Sequence, residues 1–290
     1  MRLLWERTEG WPAGLYLAGL SIRDRADITD FMEDLAGDSR NIAEYLAQEI
    51  LDLQPPRRRN FLLRTSILDR LTASLCDAVA GEPGSHALLQ DLERDNLFVI
   101  PLDGERQWFR YHRLFGDWLR HELALREPAA VPELHLRASR WHQEHHSYLR
   151  AIDHALATED LGLAAGLIEE HFSGAGYGEH ATTSRLAAIP DEIAMTRPRL
   201  ALARAVDELR HGHVKDAAQW LDAAEQEGAT AGESAPEIQL LTVRGLYHRI
   251  TCNVGQAAAT ARRALEAVGD VSSREYAVAV GQLASATFWE

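Results

Sequence analysis

The residues of this sequence best placed to do chemistry are a few histidines, and a proline that sits next to glycine and tryptophan. His112 occurs in Phe109-Arg110-Tyr111-His112-Arg113-Leu114, after an aromatic strand signal and at the start of an amphipathic helix. An imidazole titrates near neutrality, so a histidine there can donate a charge-assisted hydrogen bond to a phosphate, with Arg110 and Arg113 as weaker electrostatic aids. The same pattern also suits a surface histidine in a first helical turn. In Gly10-Trp11-Pro12 the rigid, apolar proline ring at a helix start can stack on a nucleobase without hydrogen bonds of its own, although first-turn proline is common for helical reasons alone. His142, His145 and His146 fall at i, i+3 and i+4 of a predicted helix, but the further ligands of a zinc site are missing and an ordinary helical-hairpin turn accounts for them. Gly174, Gly176 and Gly178 imitate a nucleotide loop, yet no strand precedes them and no Lys-Ser pair follows, so they read as an inter-repeat loop. Arg57-Arg58-Arg59 reads as a solvated helix face. No serine, histidine and acid occur together in a nucleophile-elbow context. The expectation is a non-enzyme with no catalytic residue and no metal site.

The elements that must position these residues follow from periodicity. Residues 8–53 look helical: Ala13, Tyr16, Leu17 and Leu20 form one stripe, Ile42, Tyr45, Leu46 and Ile50 another, and Pro55-Pro56 ends the segment. Residues 54–126 change character. Helices are predicted around Phe61-Leu62-Thr65-Leu68, over 71–80, and around Leu88-Leu89-Leu92. A strand follows in which Phe98, Ile100 and Leu102 alternate, Asp103-Gly104 supplies a tight turn, and 108–111 forms the return strand. Leu114, Phe115, Trp118 and Leu119 mark a closing helix. Three helices, a hairpin and a helix describe a winged-helix unit. From 127 to 290 the pattern is all helical pairs. Ala217-Trp220-Leu221-Ala224 recurs as Ala258-Ala261-Leu265-Val268 after 41 residues, and an earlier copy carries Leu161, Ala164, Ala165, Ile168 and Phe172. The fold class is therefore mainly α: a helical subdomain (1–53), a winged-helix domain with one β-hairpin (54–126), and a TPR-like helical-repeat superhelix (127–290).

Composition narrows the function. Thirty basic against 44 acidic residues give a formal charge of −14, which opposes non-specific binding to a phosphate backbone. Cys76 and Cys252 form neither a disulfide framework nor a metal knuckle and suit reduced thiols. No signal-peptide core opens the chain, and no apolar run approaches the ~18 residues of a membrane span. A cytoplasmic location without membrane contact is expected.

Two stretches carry a family likeness: TEGWPAGLYLAGLS (8–21) and RQWFRYHRLFGDWLRHEL (106–123). Together with FLLRTSILDRLTASLCDAV, LLQDLERDNLFVIPLDGE, LHLRASRWHQEH, AIDHALATEDL and IPDEIAMTRPRLALARA, in that order, the sequence resembles the large ATP-binding, MalT-like regulators of the LuxR family, members of the STAND class of signal-transduction ATPases. The resemblance implies a nucleotide-binding core, a helical subdomain and winged helix that close over the nucleotide, sensor repeats, and a LuxR-type helix-turn-helix. It implies that Gly10 and Pro12 form the sensor motif in which proline packs on adenine, and that His112 contacts the β-phosphate of ADP.

This sequence departs from the full pattern in having no GxxxxGK[ST] and no LuxR-type helix-turn-helix. It is expected to be an internal regulatory and signal-sensing segment that binds no cofactor alone, ATP or ADP serving the intact protein. Its expected partners are a nucleotide-binding core and a DNA-binding domain of a longer protein, and an inducer or protein on the repeats. The alternatives are a DNA-binding winged helix and a stand-alone TPR-like scaffold. Direct DNA binding is disfavoured because the would-be recognition helix sets Asp91, Glu93 and Asp95 against Arg94 alone. Because backbone amides of a phosphate loop supply most phosphate contacts, the 290-residue chain should bind ATP and ADP weakly or not at all by calorimetry. Sub-micromolar binding would contradict this reading.

Overall fold

The computed structural model describes residues 51–95, 99–171, 185–231, 234–268 and 270–288. The helices expected before residue 51, with Gly10 and Pro12, lie outside the described residues, as do Phe98, Phe172 and the loop at 173–178. The described structure is mainly helical: a winged helix with a two-strand hairpin, followed along the chain by stacked helix pairs.

The first compact unit ends at Trp141. Its helices are α1 (Pro56–Thr65), α2 (Ala73–Ala80), α3 (Ser85–Arg94) and α4 (Arg113–Arg126), with strands β1 (Val99–Pro101) and β2 (Phe109–Tyr111) between α3 and α4. Pro55-Pro56 places a proline at the start of α1, where its missing N–H leaves nothing unsatisfied. Thr72 caps α2 by accepting the Leu75 N–H, and Gly81, at φ 78°, ends it in the left-handed region. Leu62, Leu71, Leu75, Leu89, Leu92, Phe109, Phe115, Leu119 and Leu123 are the largest fully buried side chains of this unit's core apart from Leu51. Each such side chain stabilises the fold by roughly 1.5–3 kcal/mol relative to exposure. Helix α5 (Val131–Glu144) adds Leu134, Ala138 and Trp141 to the same core.

The hairpin departs from its expected form in two respects. Val99 and not Ile100 is the buried residue of β1, and Leu102 is 41% exposed. The register explains this: Val99 pairs with Tyr111 on the inward face while Ile100 and Arg110 share the outward one, and Pro101, opposite the buried Phe109, is exposed at the strand end. The turn is also longer than Asp103-Gly104. The last ladder bond joins Leu102 N–H to the Trp108 carbonyl, and the Asp103 carboxylate accepts from the Gln107 and Trp108 amides to close the loop. Arg106, at φ 54°, takes the left-handed position. On its other side β2 meets Leu71, where Phe109 and Leu71 exchange both backbone hydrogen bonds (2.7 and 2.9 Å).

The second compact unit runs from His142 and contains α6 (Tyr148–Leu156), α7 (Leu161–His171), α8 (Asp191–Met195), α9 (Pro198–His211), α10 (Val214–Ala231), α11 (Ser234–Ile250), α12 (Val254–Ala267) and α13 (Arg274–Phe288). Helices pair as α6–α7, α9–α10, α11–α12 and α12–α13. The seams are rich in buried alanine: Ala164 and Ala165 in α7, Ala201, Ala203 and Ala205 in α9, Ala217 and Ala224 in α10, Ala257, Ala258, Ala261 and Ala264 in α12. Small side chains bring helix axes close. Gly245 is one such approach, since a Cβ there would lie 2.5 Å from Gln282 Oε1, whose amide donates to the Thr242 carbonyl.

One turn recurs three times. After α5, α9 and α11 the chain enters the left-handed region at His146, Gly212 and Cys252. In each case the following amide bonds back five residues: Ser147 to His142, His213 to Glu208, Asn253 to His248. This is the Schellman closure, which satisfies helix-end carbonyls and redirects the chain.

Thr65 ties α1 to β2. Its hydroxyl donates to the Phe61 carbonyl at 2.6 Å, so the Tyr111 hydroxyl, also at 2.6 Å, must donate to Thr65 Oγ1. Both side chains are buried. Thr65→Val strands the Tyr111 hydroxyl and should destabilise the chain by about 1–3 kcal/mol in urea unfolding, whereas Tyr111→Phe should cost about 0.5–1.5 kcal/mol. Equal and additive costs in a double-mutant cycle would show that the two hydroxyls do not interact.

Candidate functional site

His112 stands between β2 and α4, at the N-cap of that helix, with φ −56° and ψ 134°. Its carbonyl accepts the Gly116 amide at 2.9 Å, and the residue is 4% exposed. Tyr111 holds the backbone on one side through Thr65, and its ring meets Phe115 edge-on with centroids 5.9 Å apart. Phe115 stacks in turn on Trp118. The start of α4 lies close to Tyr111: a Cβ at Gly116 would sit 3.4 Å from Tyr111 Cβ. Burial pushes the Tyr111 phenol up, so it stays a neutral donor.

The start of α4 is electropositive. No side chain caps it, no acidic residue occupies its first turn, and Arg113 is exposed at its first position. The unsatisfied amides of a first helical turn and a nearby guanidinium both favour an anion. Arg110, half-buried, directs Nη1 to the Tyr111 carbonyl at 3.3 Å. Of the three residues singled out for nucleotide contact, the structure places His112; Gly10 and Pro12 lie outside the described residues.

The three clustered histidines lie at the helical-hairpin turn after α5, not all on the helix itself. Helix α5 ends at Glu144, so His145 and His146 leave the helical register. His142 is buried and stacks on His154, with ring centroids 5.4 Å apart at 11°. His146 bonds through Nδ1 to the Tyr148 hydroxyl at 2.7 Å, and Tyr148 stacks on His171. The arginine triplet is engaged within its own unit: Arg57 donates to the Pro83 carbonyl, Arg58 pairs with Asp95, and Arg59 lies 3.9 Å from Asp52.

A second cluster escaped the sequence reading. Glu208, His213 and Asp216 offer ligand atoms that all lie within 4.8 Å of one another. Its only signal in the sequence is an acid five residues before the histidine and another three after it, across a helix-ending glycine.

Comparison with known proteins bears on the first site. Residues 47–131 match the MalT winged helix domain. This stretch is a MalT winged-helix domain. The chain is 35% identical over 205 residues to the serine/threonine-protein kinase PknK of Mycobacterium tuberculosis, a match covering 70% of the chain and 18% of the kinase. It is 30% identical over 224 residues to the HTH-type transcriptional regulator MalT of Vibrio parahaemolyticus, covering 76% of the chain and 25% of that regulator, and 32% identical over 206 residues to MalT of Yersinia pestis, covering 70% and 23%. The chain thus spans a quarter or less of the length of these relatives, and the stretch shared with the kinase is the MalT-like part. Over about three quarters of its length the chain is thus similar to a region of MalT regulators. Among the described residues no helix is long and apolar enough to cross a membrane.

The histidines set a pH dependence. Burial, followed by the charges of Arg150 and His145, brings His142 down to about 4, and burial also lowers His135 and His248. The unfolded chain takes up protons near pH 6.5 while folded His142 refuses them until about pH 4. Stability is therefore complete above 6.5 and falls as pH drops through that window. His142→Gln should flatten the fall in unfolding free energy between pH 6.5 and 4 by roughly 2–3 kcal/mol, read by urea titration at stepped pH. An unchanged slope would show that His142 is not protected.

Proposed function

We propose that this chain is the regulatory, signal-sensing segment of an ATP-dependent LuxR-type transcription regulator of the STAND class, coupling the nucleotide state of a neighbouring core to inducer or partner binding on its helix pairs. The observation that carries this reading is a MalT winged helix domain over 47–131 followed in the same chain by stacked helix pairs. At the domain's centre the start of α4 offers His112, uncapped amides and Arg113 to an anion. In the intact protein the anion is the β-phosphate of ADP. Gly10 and Pro12 face the adenine in the same reading, which for all three residues rests on family resemblance. The chain holds no cofactor by itself.

The partners follow from the same reading: a nucleotide-binding core and a DNA-binding domain of the longer protein, and a small inducer or a protein on the helix pairs. Helix α3 does not serve as a DNA reader. Within Ser85–Arg94 it carries Asp91 and Glu93 against Arg94, and Arg94 is already paired with Asp91. The likeness to a protein named as a kinase favours a second form of the idea, in which winged helix and helix pairs serve outputs other than transcription. A stand-alone repeat scaffold differs from both because its partner would bind regardless of nucleotide.

The test is His112→Ala in a longer protein that contains this segment together with a nucleotide-binding core. A charge-assisted bond to phosphate contributes about 1.5–3 kcal/mol. It exists only in the closed, ADP-bound state, so its loss shifts the population towards the open form roughly ten- to a hundredfold. Faster ADP release and raised activity without inducer are expected, with Pro12→Ala acting in the same direction but more weakly. Lower thermal stability with ADP release and basal activity unchanged would remove the switch role from His112 and leave it a packing residue.

A further inference from the structure

The turn between α9 and α10 brings three metal-ligating groups together. Gly212 ends α9 at φ 81°, and the Schellman bonds from Gly212 to the Leu209 carbonyl and from His213 to the Glu208 carbonyl fix the chain there. Glu208 lies in the last turn of α9 and Asp216 in the first turn of α10, with His213 between them. His213 Nδ1 is 2.8 Å from Glu208 Oε2, and all three ligand atoms lie within 4.8 Å of one another. Glu208 is half-buried while His213 and Asp216 are exposed, so the cluster is open to solvent. Neighbouring His211 is otherwise committed: its Nδ1 bonds to the Asp207 carbonyl at 2.9 Å.

The turn does not need these residues. The two other Schellman turns place His142, Ser147 and Arg150, or His248, Asn253 and Gln256, at the corresponding positions, and they close with the same backbone bonds. Glu208 and Asp216 bring two carboxylates to the turn, and a divalent cation offsets their paired negative charge. One nitrogen and two carboxylate oxygens form a donor set suited to zinc and its first-row neighbours, whose bonds of about 2.0–2.2 Å place tetrahedral ligands roughly 3.4 Å apart. Reaching that spacing from the present separations of up to 4.8 Å requires the three side chains to close on one point.

We propose that Glu208, His213 and Asp216 bind one divalent transition-metal ion, Zn2+ being the type case, with water at the fourth position. The ion takes the place of the Nδ1 proton on His213: an imidazolium gives that proton to solvent, and a neutral ring moves it to Nε2, so that in both cases the imidazole binds neutral through Nδ1. Because the ligands come from the end of α9 and the start of α10, the ion clips this helix pair and stabilises the folded chain by mass action.

The experiment titrates the untagged 290-residue chain with Zn2+ by calorimetry in two buffers of different protonation enthalpy, and with Co2+ by visible absorption. One ion per chain, proton release, tetrahedral Co2+ bands and a raised melting temperature are expected. His213→Ala should weaken binding by more than about tenfold, the least that losing even an outer-shell partner costs at metal sites. Glu208→Gln and Asp216→Asn should each weaken it as well, and circular dichroism should show all three variants folded. His145→Ala, an exposed histidine outside the cluster, should change nothing. Absence of saturable binding overturns the proposal. So does binding that survives His213→Ala, or that survives both carboxylate variants, since the ion would then sit on other histidines.

Discussion

Strand β2 is three residues long, too short to hold its place by its own ladder, and the geometry around His112 depends on what grips it. β1 pairs along one edge, and Leu71 closes the other through two hydrogen bonds to Phe109. From below, Tyr111 reaches Thr65 of α1, whose own proton is already given to Phe61. A buried hydroxyl with one partner available is costly to leave unpaired, so this bond fixes register as well as distance. Slipping β2 by one residue would turn Phe109 and Tyr111 outwards and drive Arg110 into the core. With β2 fixed, the next residue follows: His112 becomes the N-cap of α4, whose Phe115 meets the Tyr111 ring edge-on.

The second unit solves a different problem with one repeated device. Its seams are lined with alanine, which contributes little area per residue but lets long helices lie close along their whole length. The ends of those helices must then be satisfied within a few residues, and the left-handed turn does this three times. Only one of the three uses glycine. His146 and Cys252, both exposed, accept the steric cost of a side chain in that region, and the backbone bonds that close each turn offset it. Where a turn is fixed so firmly by its backbone, the side chains around it are released for other work, and the residues flanking Gly212 are the ones with chemistry to offer.

A segment shared by MalT regulators and by a protein kinase suggests how such architecture is used. Fold alone does not assign function, and a winged helix of this kind need not read DNA. Here α3 packs Leu89 and Leu92 into the core and pairs Asp91 with Arg94 and Glu93 with Arg106 of the hairpin loop, while the uncapped helix start lies on a different element, α4. Along the chain, the compact unit with this helix start comes before the stacked helix pairs.

Much of this was legible in the sequence, for definite reasons. Long amphipathic stripes such as Ala217-Trp220-Leu221-Ala224 survive folding because a helix buries one side whatever its neighbours are, and the order of elements placed His112 between strand and helix before any coordinates. What failed were features decided by contact at a distance. Ile100 and Leu102 look as apolar as Val99, and only pairing with Phe109 and Tyr111 chose the inward face. Asp103-Gly104 looks like a two-residue turn, and only the capture of two amides by the Asp103 carboxylate made it a longer loop. The three histidines at helical spacing parted because α5 ends at Glu144, where the left-handed turn at His146 redirects the chain. The meeting of Glu208, His213 and Asp216 spans a helix end, a cap and a helix start. The sequence contains each residue, but the distances among them exist only once the Schellman turn has folded one helix back from the other.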